Sequence, residues 1–409
     1  MRKIFGLAAL GILSLGISAQ VPAPSAAPLP HGFVLRAVEG GRFADNLRLE
    51  DIQLSEDGRV QNIDALVLVK NNQVERKEGL VPVIPETARR ITLVFYLTHF
   101  TPQVEEALKR VLVQDVKAED KLQVRTLKGF YTLGGNALEV KSRDALAKEL
   151  AAVVRRDTEA CTSVYDEMLT SLKQMDDAFR GVRSGGLLEM RGWSSSQFMI
   201  ISDAVDRFIP RYRQRLEELE HLRAFEPILG GVAAEENQPQ IGQNSTVLFY
   251  EHTFRPELSM DLIEAIYRVF QVNPKHRTEL EAVTKVIQTR AVPDPPALQK
   301  TFTNVNEQLN VIEIPVDTPA TVGAAKMNPV GEEFYAAFAQ LARATGGTVV
   351  SGLNPAEAYS KVGDGLGTYY LLYYQPANAA KDGNFRTVNV LVRNRPAILS
   401  YCRGYYAAR

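Results

Sequence analysis

Two short, almost wholly apolar runs, at residues 91–97 and 246–250, constrain the fold of this chain more than any other feature. β-Branched and aromatic side chains dominate both runs, and polar residues do not alternate with them. A strand without alternation is typical of one buried on both faces, as in a parallel sheet covered by helices. Helical patterns separate these runs from other short strands, which is typical of an α/β fold. The sequence therefore predicts a mostly parallel central sheet with helices on both faces.

This α/β pattern extends over residues 88–366, with a long helical insertion around residues 158–243. Apolar residues recur every three or four positions from Phe198 to Leu222, which places them on one helical face. Pro210 is predicted to kink this helix or to divide it in two. The same helix carries a run of arginines followed by glutamates: Arg207, Arg211, Arg213, Arg215, Glu217, Glu218 and Glu220. We interpret them as a solvent-exposed face with internal ion pairs rather than as a site for an anionic partner.

Both ends of the chain carry short strands outside this pattern. Residues 33–84 are predicted to form a small β unit, in which the Asp57-Gly58 pair supplies turn chemistry. Residues 367–409 are predicted to add three closing strands. Because neither segment fits the parallel sheet, we expect the two to pack together as one small accessory β layer.

The first 19 residues resemble a bacterial secretory signal peptide. Met1-Arg2-Lys3 precedes an apolar run at residues 4–17, and the small residue Ala19 marks the expected cleavage point. The run is shorter than the roughly 20 apolar residues that span a bilayer. Residues 20–32 are rich in Pro and Ala and are expected to form an extended leader. The sequence thus predicts an exported protein, periplasmic or extracellular, with no membrane span.

The composition excludes several classes of protein. Hydrophobic residues make up 45% and charged residues 23% of the 409, which are ordinary globular proportions. The formal net charge of -1 provides no field that would recruit nucleic acid. Cys161 and Cys402 are too few for a disulfide framework, and the sequence leaves open whether they form one bridge or remain thiols.

Several segments, taken in order, resemble a known family. They are Glu56-Asp57-Gly58, Thr345-Gly346-Gly347, the tyrosine-rich run at residues 369–376, Asp382-Gly383-Asn384-Phe385-Arg386 and Arg403-Gly404-Tyr405-Tyr406. Together they are similar to the exported von Willebrand factor type A (VWFA)-related proteins common in acidobacteria. The resemblance implies a von Willebrand factor A-like (Rossmann-like) sheet and a ligand crevice at the carboxyl ends of its strands.

The resemblance also implies that the usual metal-ion-dependent adhesion site has degenerated. In that site, a divalent cation is held by Asp-x-Ser-x-Ser after the first strand, by a Thr and by an Asp after the fourth strand. Here Tyr96 stands at the first Asp position, Phe100 at the last Ser position, and Thr98 alone keeps a hydroxyl. Glu251 is the candidate for the fourth-strand position. One carboxylate and one hydroxyl would hold Mg²⁺ too weakly to compensate for its dehydration, so no metal or other cofactor is expected.

The candidate binding surface is the crevice between the loops at residues 98–102 and 251–256. Its candidate residues are Tyr96, Thr98, His99, Phe100, Glu251 and His252. His99, His252 and Glu251 would suit Zn²⁺, but strand alternation directs His99 away from Thr98, so structural histidines are the favoured interpretation. Core packing is likewise favoured over an aromatic contact patch for Tyr96 and Phe100.

These observations favour a secreted, non-enzymatic protein-interaction module with a protein partner and no catalytic residues. Two alternatives stay open. The first is a metal-dependent binding protein that uses substitute ligands such as Thr98, Glu251 and His252. The second is an envelope hydrolase whose site is assembled from distant residues.

Overall fold

The computed structural model describes most of the chain after residue 30. The described residues are 31–81, 85–133, 137–181, 194–222, 242–252, 254–258, 263–264, 266–267, 274–288, 295–316, 321–322, 325–329, 332–363 and 365–407. The predicted signal peptide and most of the predicted leader lie outside these ranges.

The strands, in chain order, are β1 (His31–Glu39), β2 (Arg42–Phe43), β3 (Ile52–Glu56), β4 (Arg59–Gln61), β5 (Ile63–Lys70), β6 (Gln73–Gly79), β7 (Arg90–Tyr96), β8 (Lys121–Thr126), β9 (Phe130–Thr132), β10 (Asn244–Glu251), β11 (Phe254–Leu258), β12 (Glu307–Ile314), β13 (Thr321–Val322), β14 (Ala325–Pro329), β15 (Val349–Ser351), β16 (Thr368–Tyr374), β17 (Phe385–Val392), β18 (Ile398–Tyr401) and β19 (Gly404–Tyr406). The α-helices are α1 (Pro102–Arg110), α2 (Ala137–Val140), α3 (Arg143–Gly181), α4 (Ser195–Leu222), α5 (Pro274–Gln288), α6 (Pro295–Asn304), α7 (Glu332–Thr345) and α8 (Pro355–Gly363). A 3₁₀ turn (Leu49–Asp51) precedes β3, and a π-helical turn (Val111–Asp115) extends α1.

Most of the strands belong to antiparallel sheets. One sheet has the order β18-β1-β16-β5-β6, with β2 paired to β1, and a second has the order β19-β17-β3-β4. Both are antiparallel throughout, as is the small sheet β11-β14-β13. In the remaining sheet, β15-β12-β10-β7-β8-β9, the first five strands run parallel and β9 is antiparallel.

The prediction of a mostly parallel, Rossmann-like fold with a small accessory β layer is therefore wrong. The two apolar runs on which it depended, now β7 and β10, do pair in parallel, but strands from both ends of the chain form two further sheets that are antiparallel throughout. Strand β16 has no polar alternation and is buried from Tyr369 to Tyr374, yet both of its neighbours, β1 and β5, are antiparallel to it. Burial on both faces shows only that a strand is central in a covered sheet, and antiparallel strands meet that condition as well as parallel ones.

The two ends of the described chain are paired strand by strand. β16 lies between β1 and β5, and β17 pairs with β3. The two antiparallel sheets share an apolar core, and the buried carboxylate of Glu56 joins them. Glu56 Oε2 accepts hydrogen bonds from Tyr374 Oη at 2.7 Å and from Tyr405 Oη at 3.0 Å. The expected contact between the N-terminal and C-terminal strands is thus present, but in two full sheets rather than one small layer.

Helices cover both faces of the sheet that contains β7. One face packs against α1, α3 and α8, and the other packs against α6 and α7. α3 begins at Arg143, before the predicted insertion, and packs on α4 and α5 around a separate apolar core. α4 runs through Pro210, so this residue does not divide the helix in two, and the alternative of a kink stays a prediction.

A buried ion pair connects this sheet to the large antiparallel sheet. Arg89 Nη2 and Asp120 Oδ2 are 2.6 Å apart, and both side chains are at most 2% exposed. Asp120 also accepts Asn72 Nδ2 at 2.7 Å from the β5–β6 turn, and Arg89 Nη1 donates to the carbonyl of Leu366 at 3.2 Å, just before β16. The pair therefore holds segments from both sheets.

The structure also bears on the predicted lack of a membrane span and on the pairing of the two cysteines. Across the residues described, no helix is both long enough and apolar enough to cross a bilayer. Cys161 and Cys402 are not joined to each other: Cys161 is buried in α3, and Cys402 Sγ donates to the carbonyl of Gly404 at 3.0 Å.

Candidate functional site

Three of the candidate residues meet at the carboxyl ends of two neighbouring strands. β7 and β10 are paired in parallel, with Tyr96 opposite Tyr250, so both strands end at the same edge of the sheet. Thr98 and His99 follow β7, and Glu251 is the last residue of β10. We call this edge the strand-end site. It contains Thr98, His99, Glu251 and a second pair, His252 and Glu313.

The Glu251 carboxylate fixes the loop that follows β7. Its Oε2 accepts the backbone N–H groups of Thr98 at 2.5 Å and His99 at 2.9 Å, and its Oε1 lies 2.6 Å from His99 Nδ1. The Glu251 side chain is only 4% exposed. Thr162 on α3 adds a further restraint by donating its hydroxyl to the Thr98 carbonyl. These hydrogen bonds restrain the loop after β7.

The orientation of His99 differs from the sequence expectation. Its Nδ1 faces Glu251 and lies 3.1 Å from Thr98 Oγ1, so the ring is not directed away from Thr98. Strand alternation fails here because β7 ends at Tyr96, before this residue. The hydrogen bond to Glu251 raises the pKa of His99 above 6.5, although partial burial opposes the rise. The His99 side chain remains 47% exposed.

A second histidine–carboxylate pair lies beside the first, on the next strand of the sheet. His252 Nε2 is 2.6 Å from Glu313 Oε1, near the end of β12. Burial alone would raise the pKa of Glu313, but hydrogen bonds from His252, Tyr335 and Ser351 outweigh it and lower that pKa. Burial, helped by the bond to Glu313, raises the pKa of Tyr335 to about 12.

Glu313 and Tyr335 were missed by the sequence reasoning. A signal for Glu313 exists, because it is the one charged residue in the run Val311-Ile312-Glu313-Ile314. An acid in an otherwise buried parallel strand indicates the solvent-facing end of that strand. Tyr335 gave no such signal, since it lies within the aromatic, amphipathic pattern of α7.

The two aromatic candidates are packed against other groups. Tyr96 is 2% exposed and stacks on Tyr250 with ring centroids 5.4 Å apart, so it belongs to the core. Phe100 is half-buried, and the guanidinium of Arg155 lies 4.8 Å from the centroid of its ring. Neither ring provides an open aromatic face.

The arrangement gives limited support to the two alternatives. Each histidine faces its own carboxylate, and within the described ranges no three or more His, Cys, Asp or Glu side chains are grouped to hold a metal ion. For hydrolysis, a nucleophilic hydroxyl and the orienting carboxylate need opposite nitrogens of the histidine. Here Thr98 Oγ1 and Glu251 Oε1 both contact Nδ1, so Thr98 is not placed to pass its proton to Nε2.

Comparisons with known proteins do not relate this site to a characterised one. No protein-family model matches the chain, and a search of curated proteins finds no match to it. The relationship to VWFA-related proteins stays a prediction that depends on sequence motifs alone.

Proposed function

We propose that this protein is an exported, non-enzymatic protein-interaction module that binds a protein partner at the strand-end site. The observation that carries the proposal is the fixed loop after β7. The buried carboxylate of Glu251 is used to hold that loop, while the imidazole of His99 remains about half exposed beside it. A surface that is already ordered loses little conformational entropy on binding, which favours association.

Site-directed photo-crosslinking tests this proposal. A benzophenone amino acid at Gln103, which is exposed directly after the loop, should give a discrete adduct with one protein in an envelope extract. The matched control places the same group at Leu391, which is 53% exposed on β17, away from the strand-end site. Excess unlabelled wild-type protein should compete for the Gln103 adduct, and excess Glu251→Gln protein should compete less. Equal adducts from both positions, or none from Gln103, would contradict the proposal.

The proposed export has its own test. N-terminal sequencing of the protein from its producing cell should give a chain that begins at Gln20, after the predicted cleavage at Ala19. A chain that keeps Met1 would contradict it.

Metal titration separates the leading proposal from the metal-dependent alternative. We expect Mg²⁺, Mn²⁺ and Zn²⁺ to leave the melting temperature unchanged, because each histidine of the site already faces a carboxylate. A ligand that binds the folded state raises its apparent stability. A rise of several degrees that a chelator reverses would therefore favour substitute metal ligands and contradict the leading proposal.

A further inference from the structure

A surface cleft of about 740 Å³ lies between α3 and α4, next to the strand-end site. The described residues that line it are Glu159, Thr162, Ser163, Asp166, Glu167, Thr170 and Ser171 from α3, and Arg211, Gln214 and Arg215 from α4. Its volume is within the range of about 300 to 1,000 Å³ that is usual for small-ligand sites. Thr162 connects it to the strand-end loop through its bond to Thr98.

The cleft follows from the amphipathic pattern of the two helices. Their apolar sides, with residues such as Met168, Leu172 and Tyr212, form the buried seam. The α3 lining residues recur at helical spacing on a different face, and each of them carries a hydroxyl or a carboxylate. The α4 lining residues carry guanidinium or amide groups. A cleft with this lining recognises its ligand by hydrogen bonds and charge rather than by apolar contact.

The charges of the cleft are only partly neutralised within the protein. Arg215 pairs with Glu167 and Glu218, each at 2.6 Å. Within the part of the chain that the structure describes, no ion pair joins Glu159, Asp166 or Arg211 to another side chain, although the charge of Asp166 also acts on the nearby His99. Arg211 differs in this from the other arginines of α4. Arg207 pairs with Asp203, and Arg213 pairs with Glu279.

We propose that this cleft binds a short peptide segment that carries both a basic and an acidic side chain. The basic group would lie against Asp166 and Glu159, and the acidic group against Arg211. The hydroxyls of α3 and the Gln214 amide can hydrogen-bond to the peptide backbone. A polyanion would be repelled by the α3 carboxylates and a polycation by the α4 arginines, so the mixed lining disfavours ligands of a single charge sign.

Selection from a synthetic library of random heptapeptides tests the proposal. The full chain is immobilised, and bound peptides are identified by mass spectrometry at low ionic strength. Peptides that contain both charge signs should be enriched. Asp166→Asn should remove the preference for a basic residue, and Arg211→Gln should remove the preference for an acidic one. For an enriched peptide, either substitution should weaken binding about two- to fivefold, as expected for the loss of one solvent-exposed charge contact.

The matched controls are Glu106→Gln and Lys148→Gln, which alter exposed charges outside the cleft. They should leave the enrichment unchanged. Failure of the library to enrich any peptide, enrichment of peptides with one charge sign, or enrichment unaffected by the Asp166 and Arg211 substitutions would overturn the proposal. All four residues are exposed, so the variants should fold, and a thermal melt verifies this.

This inference does not depend on the proposed function of the strand-end site. The crosslink at Gln103 can fail while library selection succeeds, and the reverse can also occur, so the two failures are distinguishable.

Discussion

At the scale of single residues, one buried carboxylate decides the conformation of the loop after β7. Glu251 accepts two backbone N–H groups and one imidazole nitrogen, so its replacement affects three contacts at once. A buried acceptor that also satisfies backbone donors is expensive to remove, because those donors then lose their partner without gaining water.

Glu251→Gln should therefore lower the free energy of unfolding by about 1 to 3 kcal/mol. The amide keeps the size of the side chain but has one acceptor oxygen and one donor nitrogen in place of two acceptors. Urea denaturation followed by circular dichroism measures the loss. Glu106→Gln, at an exposed position on α1, is the control and should change stability by less than about 0.5 kcal/mol. Equal values for the two variants would show that the carboxylate does not hold the loop.

His99 should make stability depend on pH in one direction. Its pKa is raised in the folded state by Glu251, so its contribution is fully present below the unfolded value of 6.5. That contribution is lost as the pH rises through the folded pKa. The stability difference between wild type and His99→Gln should be largest near pH 5.5 and shrink by pH 9. It should stay below about 1 kcal/mol, because the ring is about half exposed.

Urea denaturation of both proteins across this pH range measures the effect, and the Glu251→Gln background supplies the control. Without the carboxylate, the pH-dependent effect of the His99 substitution should be smaller, because only burial, which lowers the His99 pKa, and the charge of Asp166, which raises it, remain. A difference that stays constant from pH 5.5 to pH 9 in the wild-type background would contradict the coupling between the two residues.

At the scale of elements, the end of α7 depends on two consecutive glycines. Gly346 has φ +77°, and the N–H of Gly347 donates to the carbonyl of Ala342 at 2.7 Å, which closes the helix in a Schellman motif. A Cβ on Gly347 would lie 1.7 Å from the carbonyl oxygen of Leu309 on β12. The close approach of this turn to β12 therefore requires glycine at position 347.

Gly347→Ala should destabilise the protein by about 3 kcal/mol or more, because the clash is with backbone and cannot be relieved by a rotamer change. Gly352→Ala is the matched control, since its nearest neighbour would be the Cβ of Ala358 at 3.9 Å. Thermal melts of the two variants should differ by several degrees. Equal melting temperatures for the two variants would show that a Cβ at position 347 fits beside the carbonyl of Leu309.

The positions of strands and helices could be predicted from the sequence better than the contacts between them. The contact among Thr98, His99 and Glu251 could be expected, because two apolar runs end just before these residues. The orientation of the His99 ring could not be predicted, because it depends on a loop held by tertiary hydrogen bonds. The extent of the two antiparallel sheets could not be predicted either, because the apolar run at residues 369–374 does not show which strands lie beside it. The pairing of His252 with Glu313 required knowing that β12 lies beside β10.

At the scale of the whole molecule, Arg89 and Asp120 connect the two largest sheets. Their buried pair contacts the β5–β6 turn on one side and the chain before β16 on the other. Removal of one member of a buried pair leaves the other charge without compensation, which typically costs about 3 to 5 kcal/mol. The fold therefore depends on this pair more than on its many exposed ion pairs.

Arg89→Met should destabilise the protein by that amount, about 3 to 5 kcal/mol. Lys121→Met removes a cation that is 60% exposed and starts the neighbouring strand β8, so it should cost less than about 0.5 kcal/mol. Combining Arg89→Met with Asp120→Asn should recover part of the loss, because no isolated charge remains buried and the amide oxygen can still accept one of the backbone N–H groups that Asp120 accepts from Arg89 and Lys117. The three variants are compared by urea denaturation. A double variant less stable than Arg89→Met alone would contradict this account.

The central place of β16 has a consequence for biosynthesis. β1 and β5 flank it, and it begins only at Thr368 of a 409-residue chain. While the ribosome is still translating the middle of the message, those early strands have no native neighbour between them. Their unpaired edges would stay open to other chains for most of the elongation time. We therefore expect a nascent polypeptide with this strand order to aggregate readily, and to benefit from a chaperone, until β16 has been made.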